Sequence, residues 1–121
     1  MSSLNTFGSI LTHAINMEAS LRDYYESAGK ADLAKDADKR RATLERIRRE
    51  YVVEITLEPI EGLDEADYTL NLDNKTESGQ QAAASTAARF YSDVAPKINV
   101  RQAQRALEKC GQQYADLTTE R

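Results

Sequence analysis

Four stretches of this sequence repeat apolar or small residues at the spacing of one helix face, which constrains the chain to a helical fold. The first runs Phe7, Leu11, Ala14, Glu18, Leu21, Tyr25 and Ala28 in alternating steps of four and three, and predicts a helix over about 5–29. Gly29 supplies its stop, because glycine enters the left-handed conformation that ends helices, and Asp32 is expected to cap the next helix. That second helix spans about 31–57, with Leu33, Ala37, Arg40, Leu44, Ile47 and Tyr51 on its seam and Pro59 beyond its end. Ser78 and Gln81 have the spacing of a capping box, and Ala84, Ala87, Tyr91 and Val94 form the stripe of a third helix over 79–95, interrupted by Pro96. Asn99 and Gln102 repeat the capping spacing ahead of a fourth helix over 100–118, with Val100, Ala103, Leu107, Cys110, Tyr114 and Leu117 in line.

The expected fold class is therefore all-α, one four-helix bundle domain over 1–121. The first and third loops are short, which forces antiparallel neighbours. The segment 58–78 carries Pro59, Gly62, Asp64, Asp73 and Asn74 without a sustained helical period, and reads as a crossover with a brief extended piece at Tyr68 to Leu72. So long a middle connection lets helices two and three run parallel.

Composition removes several functions. Sixteen Lys and Arg against twenty Asp and Glu give a net charge of -4, which argues against non-specific binding to nucleic acid or anionic lipid. A single Cys excludes an internal disulfide framework, and with a single His it leaves too few thiolates and imidazoles for the usual zinc or non-haem iron site. The first fifteen residues carry no Lys or Arg, unlike a secretory leader, and no window has the apolar length to span a bilayer, so the expected location is the cytoplasm with no membrane partner. Neither a Gly-rich phosphate loop nor a nucleotide fingerprint is present, and the acidic run Glu54, Glu58, Glu61, Asp64, Glu65 and Asp67 lacks the order of a calcium loop.

The two halves resemble each other: Tyr24-Tyr25-Glu26-Ser27-Ala28 and Phe90-Tyr91-Ser92-Asp93-Val94 fall at equivalent points near the ends of helices one and three. With the connection pattern, the chain resembles the ferritin-like superfamily, most closely its rubrerythrin-like branch. Glu18, followed seven residues later by Tyr25 with Arg22 between, matches that family's first helix. The resemblance implies a Glu-x-x-His on helix two, a Glu on helix three and a second Glu-x-x-His on helix four, which together would hold two irons. Here those positions carry Ala37 and Arg40, Ala84, and Gly111 and Tyr114, so only Glu18 remains as a vestigial ligand position. The expectation is a fold without its metal centre: no catalytic residues, no cofactor site and no metal ligands. Function resides in the site and not in the scaffold.

Glu18 is the anomaly of the first seam, since a buried charge is costly unless paired or protonated. Arg41 and Arg48, one turn either way of the level of Glu18 on helix two, are the nearest expected partners, with Arg40 farther. The competing reading puts Glu18 at the seam's edge, in water. His13 is expected at the bundle boundary, Cys110 as a buried inert thiol, and Tyr24, Tyr25, Tyr51, Tyr91 and Tyr114 as core aromatics whose hydroxyls reach polar groups. The basic concentration Lys39, Arg40, Arg41, Arg46, Arg48 and Arg49 reads as a solvated face paired with Asp36, Asp38, Glu45 and Glu50.

The function expected from these features is a non-catalytic structural or protein-interaction module that self-associates through a helical face. The small residues Ala82, Ala83, Ala84, Ala87 and Ala88 permit close helix approach, within the chain or between copies. Two alternatives stay open: a rubrerythrin-like oxidoreductase holding iron through Glu18 and ligands from the crossover or a second chain, and an anion or nucleic-acid binding module using the basic face of helix two.

Overall fold

The computed structural model describes residues 6–51, 63, 65–98 and 100–118. Within them lie four α-helices, α1 (Phe7–Ser27), α2 (Ala31–Tyr51), α3 (Glu77–Val94) and α4 (Arg101–Thr118). Thr6 caps α1 through a reciprocal pair in which its Oγ1 accepts from the Ser9 amide at 3.0 Å and Ser9 Oγ accepts from the Thr6 amide at 3.0 Å. Gly29, at φ +80°, makes the left-handed turn expected of it. The Lys30 carbonyl already accepts the Ala34 amide at 3.0 Å, so α2 begins ahead of Asp32, which sits in the first turn and not at the cap. There its charge still complements the positive end of the helix.

Other boundaries also differ from the sequence reading. Thr76 caps α3 in place of Ser78, its Oγ1 accepting from the Gly79 amide at 3.3 Å, and the Gln81 side chain donates instead to the Leu117 carbonyl of α4 at 3.1 Å. Tyr68, expected in an extended piece, closes a 3-10 turn (Glu65–Tyr68), and among the described residues there is no strand. The expected continuation of helix two to Leu57, the cap at Asn99 and most of the acidic crossover lie outside the described residues.

The closest helix packing is within two pairs, α1 against α2 and α3 against α4. Arg22 meets Asp38 at 3.1 Å and Thr12 accepts from Arg48 at 3.0 Å, so α1 and α2 run antiparallel. His13 packs against Phe90 with the rings tilted by 40° and their centroids 4.8 Å apart, while Tyr24 donates to the carbonyl of Asn74, just ahead of α3, at 2.6 Å. Late residues of α1 face the start of α3, which makes α3 antiparallel to α1 and parallel to α2. The chain therefore enters α3 at the opposite end of the bundle from where it leaves α2. The returning segment is fastened to α3 by Tyr68, whose hydroxyl donates to Asp93 Oδ2 at 2.7 Å, and by Arg89, which donates to the Asp67 carbonyl.

The seams meet in a common core. Leu11, Ala14, Leu21 and Tyr25 of α1, Ala37, Leu44 and Ile47 of α2, Ala84, Ala87, Tyr91 and Val94 of α3, and Ala103, Leu107, Cys110 and Tyr114 of α4 are all buried. Fully burying each larger aliphatic side chain contributes about 1.5–3 kcal/mol. No helix among the described residues is long and apolar enough to cross a membrane.

The α3–α4 approach depends on Gly111, because a Cβ there would meet Tyr91 Cβ at 2.8 Å. That atom is fixed to the α3 backbone and cannot swing aside. Gly111→Ala gains up to about 1 kcal/mol of helix propensity but forces the helices apart, at about 1–3 kcal/mol. Urea denaturation should show a net loss of stability; an unchanged or raised midpoint would mean that α3 and α4 separate freely.

Candidate functional site

One carboxylate gathers side chains from all four helices. Glu18 of α1 has 0% of its surface exposed. Its Oε1 accepts from Arg40 Nε of α2 at 3.0 Å and from the Tyr114 hydroxyl of α4 at 2.6 Å, and its Oε2 accepts from the Tyr91 hydroxyl of α3 at 2.5 Å. Arg40 is held in turn: Nη2 donates to the Tyr114 hydroxyl at 2.8 Å and Nη1 to Gln113 Oε1 at 2.7 Å, with the guanidinium carbon 4.2 Å from the Tyr114 ring centroid. The Tyr91 and Tyr114 rings are nearly parallel, at 9° with centroids 6.1 Å apart. Among the described residues no buried side-chain nitrogen or oxygen lacks a partner. A network satisfied to this degree rigidifies a core, whereas a partly satisfied one costs more than an apolar filling.

The electrostatics follow from burial opposed by pairing. Burial raises the Glu18 carboxyl above its ordinary value, while the Arg40 charge and then the hydrogen bonds from Tyr114, Tyr91 and Arg40 pull it back. Burial, reinforced by the Glu18 charge, pushes the phenols of Tyr91 and Tyr114 well above the usual range. For Arg40 burial acts to lower the pKa, but Tyr114 and Glu18 outweigh it and the guanidinium is held in its charged form. Burial and the Glu18 charge also push the Cys110 thiol up to about 12, so it is a packing group and not a nucleophile near neutrality.

The expected partners of Glu18 need correction. Arg41 pairs with Asp38 at 2.9 Å and with Glu45 at 2.8 Å, and Arg48 donates to Thr12; neither bonds Glu18, and the partner is Arg40. Height along the axis alone favoured the wrong residues. Arg41 and Arg48 lie on the flank of α2, whereas Arg40 lies on its seam and has a side chain long enough to span one turn. The alternative of an edge position in water is overturned by the complete burial of Glu18. Of the basic concentration, Arg41 and Arg46 make the expected pairs, Arg46 with Glu50 at 3.4 Å, while Arg40 turns into the core and keeps only 6% exposure.

His13 is half-buried against Phe90, and Tyr24 reaches a backbone carbonyl as expected of it; the side chain of Tyr51 lies outside the described residues. Gln113, the acceptor for Arg40, was not singled out by the sequence. The signal that would have found the pair is that the first and second seams each carry one charged residue, of opposite sign: Glu18 and Arg40.

Chemically, the cluster is an ion pair closed by two phenols. Both Glu18 oxygens are engaged, and among the described residues no three His, Cys, Asp or Glu side chains are placed to share a metal ion. Comparison with protein-family models, with curated proteins and with solved structures gave no match.

Removing one member of a buried pair strands the other charge. Arg40→Met should lower the unfolding free energy by about 3–5 kcal/mol, and the double variant Glu18→Met with Arg40→Met should recover much of that loss. A denaturant-based double-mutant cycle measures the coupling, and strictly additive losses would refute a paired core. The pH dependence has a definite sign. Folded Glu18 titrates above its ordinary 4.5, so just above that pH the native state still holds a proton that the unfolded chain has released, and the ion pair with Arg40 forms as the pH rises through the folded value. Its contribution to stability is fully present below about pH 4.5 and is lost as the pH rises through the folded value. The difference in unfolding free energy between the native chain and Glu18→Gln should therefore slope between about pH 4 and 8, and a flat difference would contradict the assignment.

Proposed function

We propose that this chain is a ferritin-like bundle, closest to the rubrerythrin-like branch, in which an ion pair replaces the di-iron centre, and that it serves as a non-catalytic structural or protein-interaction module. The observation that carries this reading is where Arg40 and Tyr114 stand. The resemblance assigns both positions to metal-binding His, and here both side chains donate to Glu18. A guanidinium supplies the positive charge that a metal would bring to the same carboxylate, without an open coordination position or a redox change.

The remaining ligand positions agree. Ala37 and Ala84 are buried packing residues, and Gly111 lets α4 approach Tyr91. A donor set of one carboxylate, already saturated, does not fit a pair of irons. In this reading the protein works in the reducing cytoplasm, in keeping with a lone buried thiol at Cys110, and associates with itself or a protein partner through a helical face.

Metal analysis and light scattering on one preparation, purified from cells grown with added iron, test the proposal. The expected result is iron far below stoichiometry and a mass above that of one chain. Stoichiometric iron that survives dialysis would overturn the metal-free reading, and a monomer at every concentration would remove self-association from it.

A further inference from the structure

A cleft of about 440 Å³ opens between α2 and α4 on the outer side of the ion pair, with Arg40 forming part of its lining. Its size lies within the range of small-molecule sites, about 300–1,000 Å³. What distinguishes it is the sign of its polar groups. Lys39 of α2 and Lys109 of α4 are exposed on its two walls, and among the described residues neither makes an ion pair. Arg40, 6% exposed, spends three N–H groups on Glu18, Gln113 and Tyr114, which leaves one N–H on each terminal nitrogen of its five-donor fork. Gln113 has its carbonyl taken by Arg40, so only its amide NH₂ remains to meet a ligand. Thr43 adds a hydroxyl, and Asp36 is the one lining group that only accepts when ionised.

We propose that this cleft binds a small dianion of the phosphate or phosphate-monoester kind, bridged by Lys39 and Lys109 and seated against Arg40 and Gln113. The two ammonium groups stand on different helices, so one bound dianion ties α2 to α4. Glu18 already balances the Arg40 charge and Asp36 offsets one of the two lysines, so the lining keeps a net positive charge toward the ligand, with both ammonium groups as donors. A nucleic-acid strand is the less suitable ligand: the site is concave and local, Asp36 borders it, and the flanking α2 surface carries Asp38, Glu45 and Glu50 among its cations.

The inference is independent of whether the bundle is related to iron proteins, and its test uses the full chain, labelled with nitrogen-15 and titrated with inorganic phosphate at constant ionic strength. Saturable amide shifts confined to residues 36–43 and 106–113, together with a raised thermal midpoint, are expected. Lys39→Gln and Lys109→Gln should each weaken phosphate binding about tenfold, while Arg46→Gln, outside the cleft, leaves it unchanged. Shifts spread over all the basic residues of α2, or equal binding by the Lys39→Gln, Lys109→Gln double variant, would overturn the site. Displacement of phosphate from these same residues by a duplex oligonucleotide at lower concentration would reassign it to nucleic acid.

Discussion

The constraint on which this structure turns is the desolvation of one carboxylate. Glu18 sits where every neighbour on its seam is a packing residue, and an ionised group there, unpaired, would cost several kcal/mol. The fold meets that cost with one donor from each of the other three helices, Arg40, Tyr91 and Tyr114. These hydrogen bonds are directional, so they specify how the α1–α2 pair docks on the α3–α4 pair more narrowly than apolar contact does. Sliding either pair by one helical turn would keep Glu18 with Arg40 but break their bonds to Tyr91, Tyr114 and Gln113, leaving two phenols buried without partners and the ion pair under-satisfied.

This explains why polar groups occupy the centre of a small bundle that aliphatic side chains would fill at no desolvation cost. Hydrophobic replacements of buried ion pairs are often neutral or stabilising, so the pair adds little to net stability. Its effect is on register. The α1–α2 contact has other polar markers, in Arg22 with Asp38 and Arg48 with Thr12, whereas the docking of the two pairs places its charged pair and its stacked phenols at one level. Gly111 belongs to the same device, because it lets α4 come close enough to α3 for Tyr91 and Tyr114 to lie side by side over the carboxylate.

Much of the helical content was legible because burial on a helix face imposes its own period: the seam residues of α1, α3 and α4 are buried except at the ends, where Phe7, Ala28, Val100 and Leu117 are half-buried. Boundaries were less legible, as α3 illustrates. Thr76 and Ser78 are both competent caps, and the choice fell to Asn74, whose Oδ1 accepts from the Thr76 amide at 3.0 Å and from its hydroxyl at 2.6 Å, fixing Thr76 ahead of the helix. Of the candidate site, Glu18 stood out in sequence as a charge in an apolar line, and Arg40 was visible on the seam of α2. Their pairing was not visible, because position along the helix axis points to Arg41 and Arg48, and only the direction in which each residue faces singles out Arg40. The convergence of Tyr91 and Tyr114 depends on how two hairpins dock across a long connection, and no local spacing rule reports that.

The ion pair also changes what the surface beside it can do. A guanidinium fully enclosed would be spent within the core, but Arg40 retains a 6% exposure and opens toward the α2–α4 cleft while Glu18 retains none. The pair is thus asymmetric: its negative end faces three donors inside the bundle, and its positive end faces a region where Lys39 and Lys109 add charge of the same sign. Lys39 and Lys109 stand there with Asp36, and α2 and α4 touch far less than the helices within each pair. The cleft is bordered mainly by polar side chains because an arginine on the seam of α2 needs acceptors around it, and Gln113 and Tyr114 of α4 supply two of them.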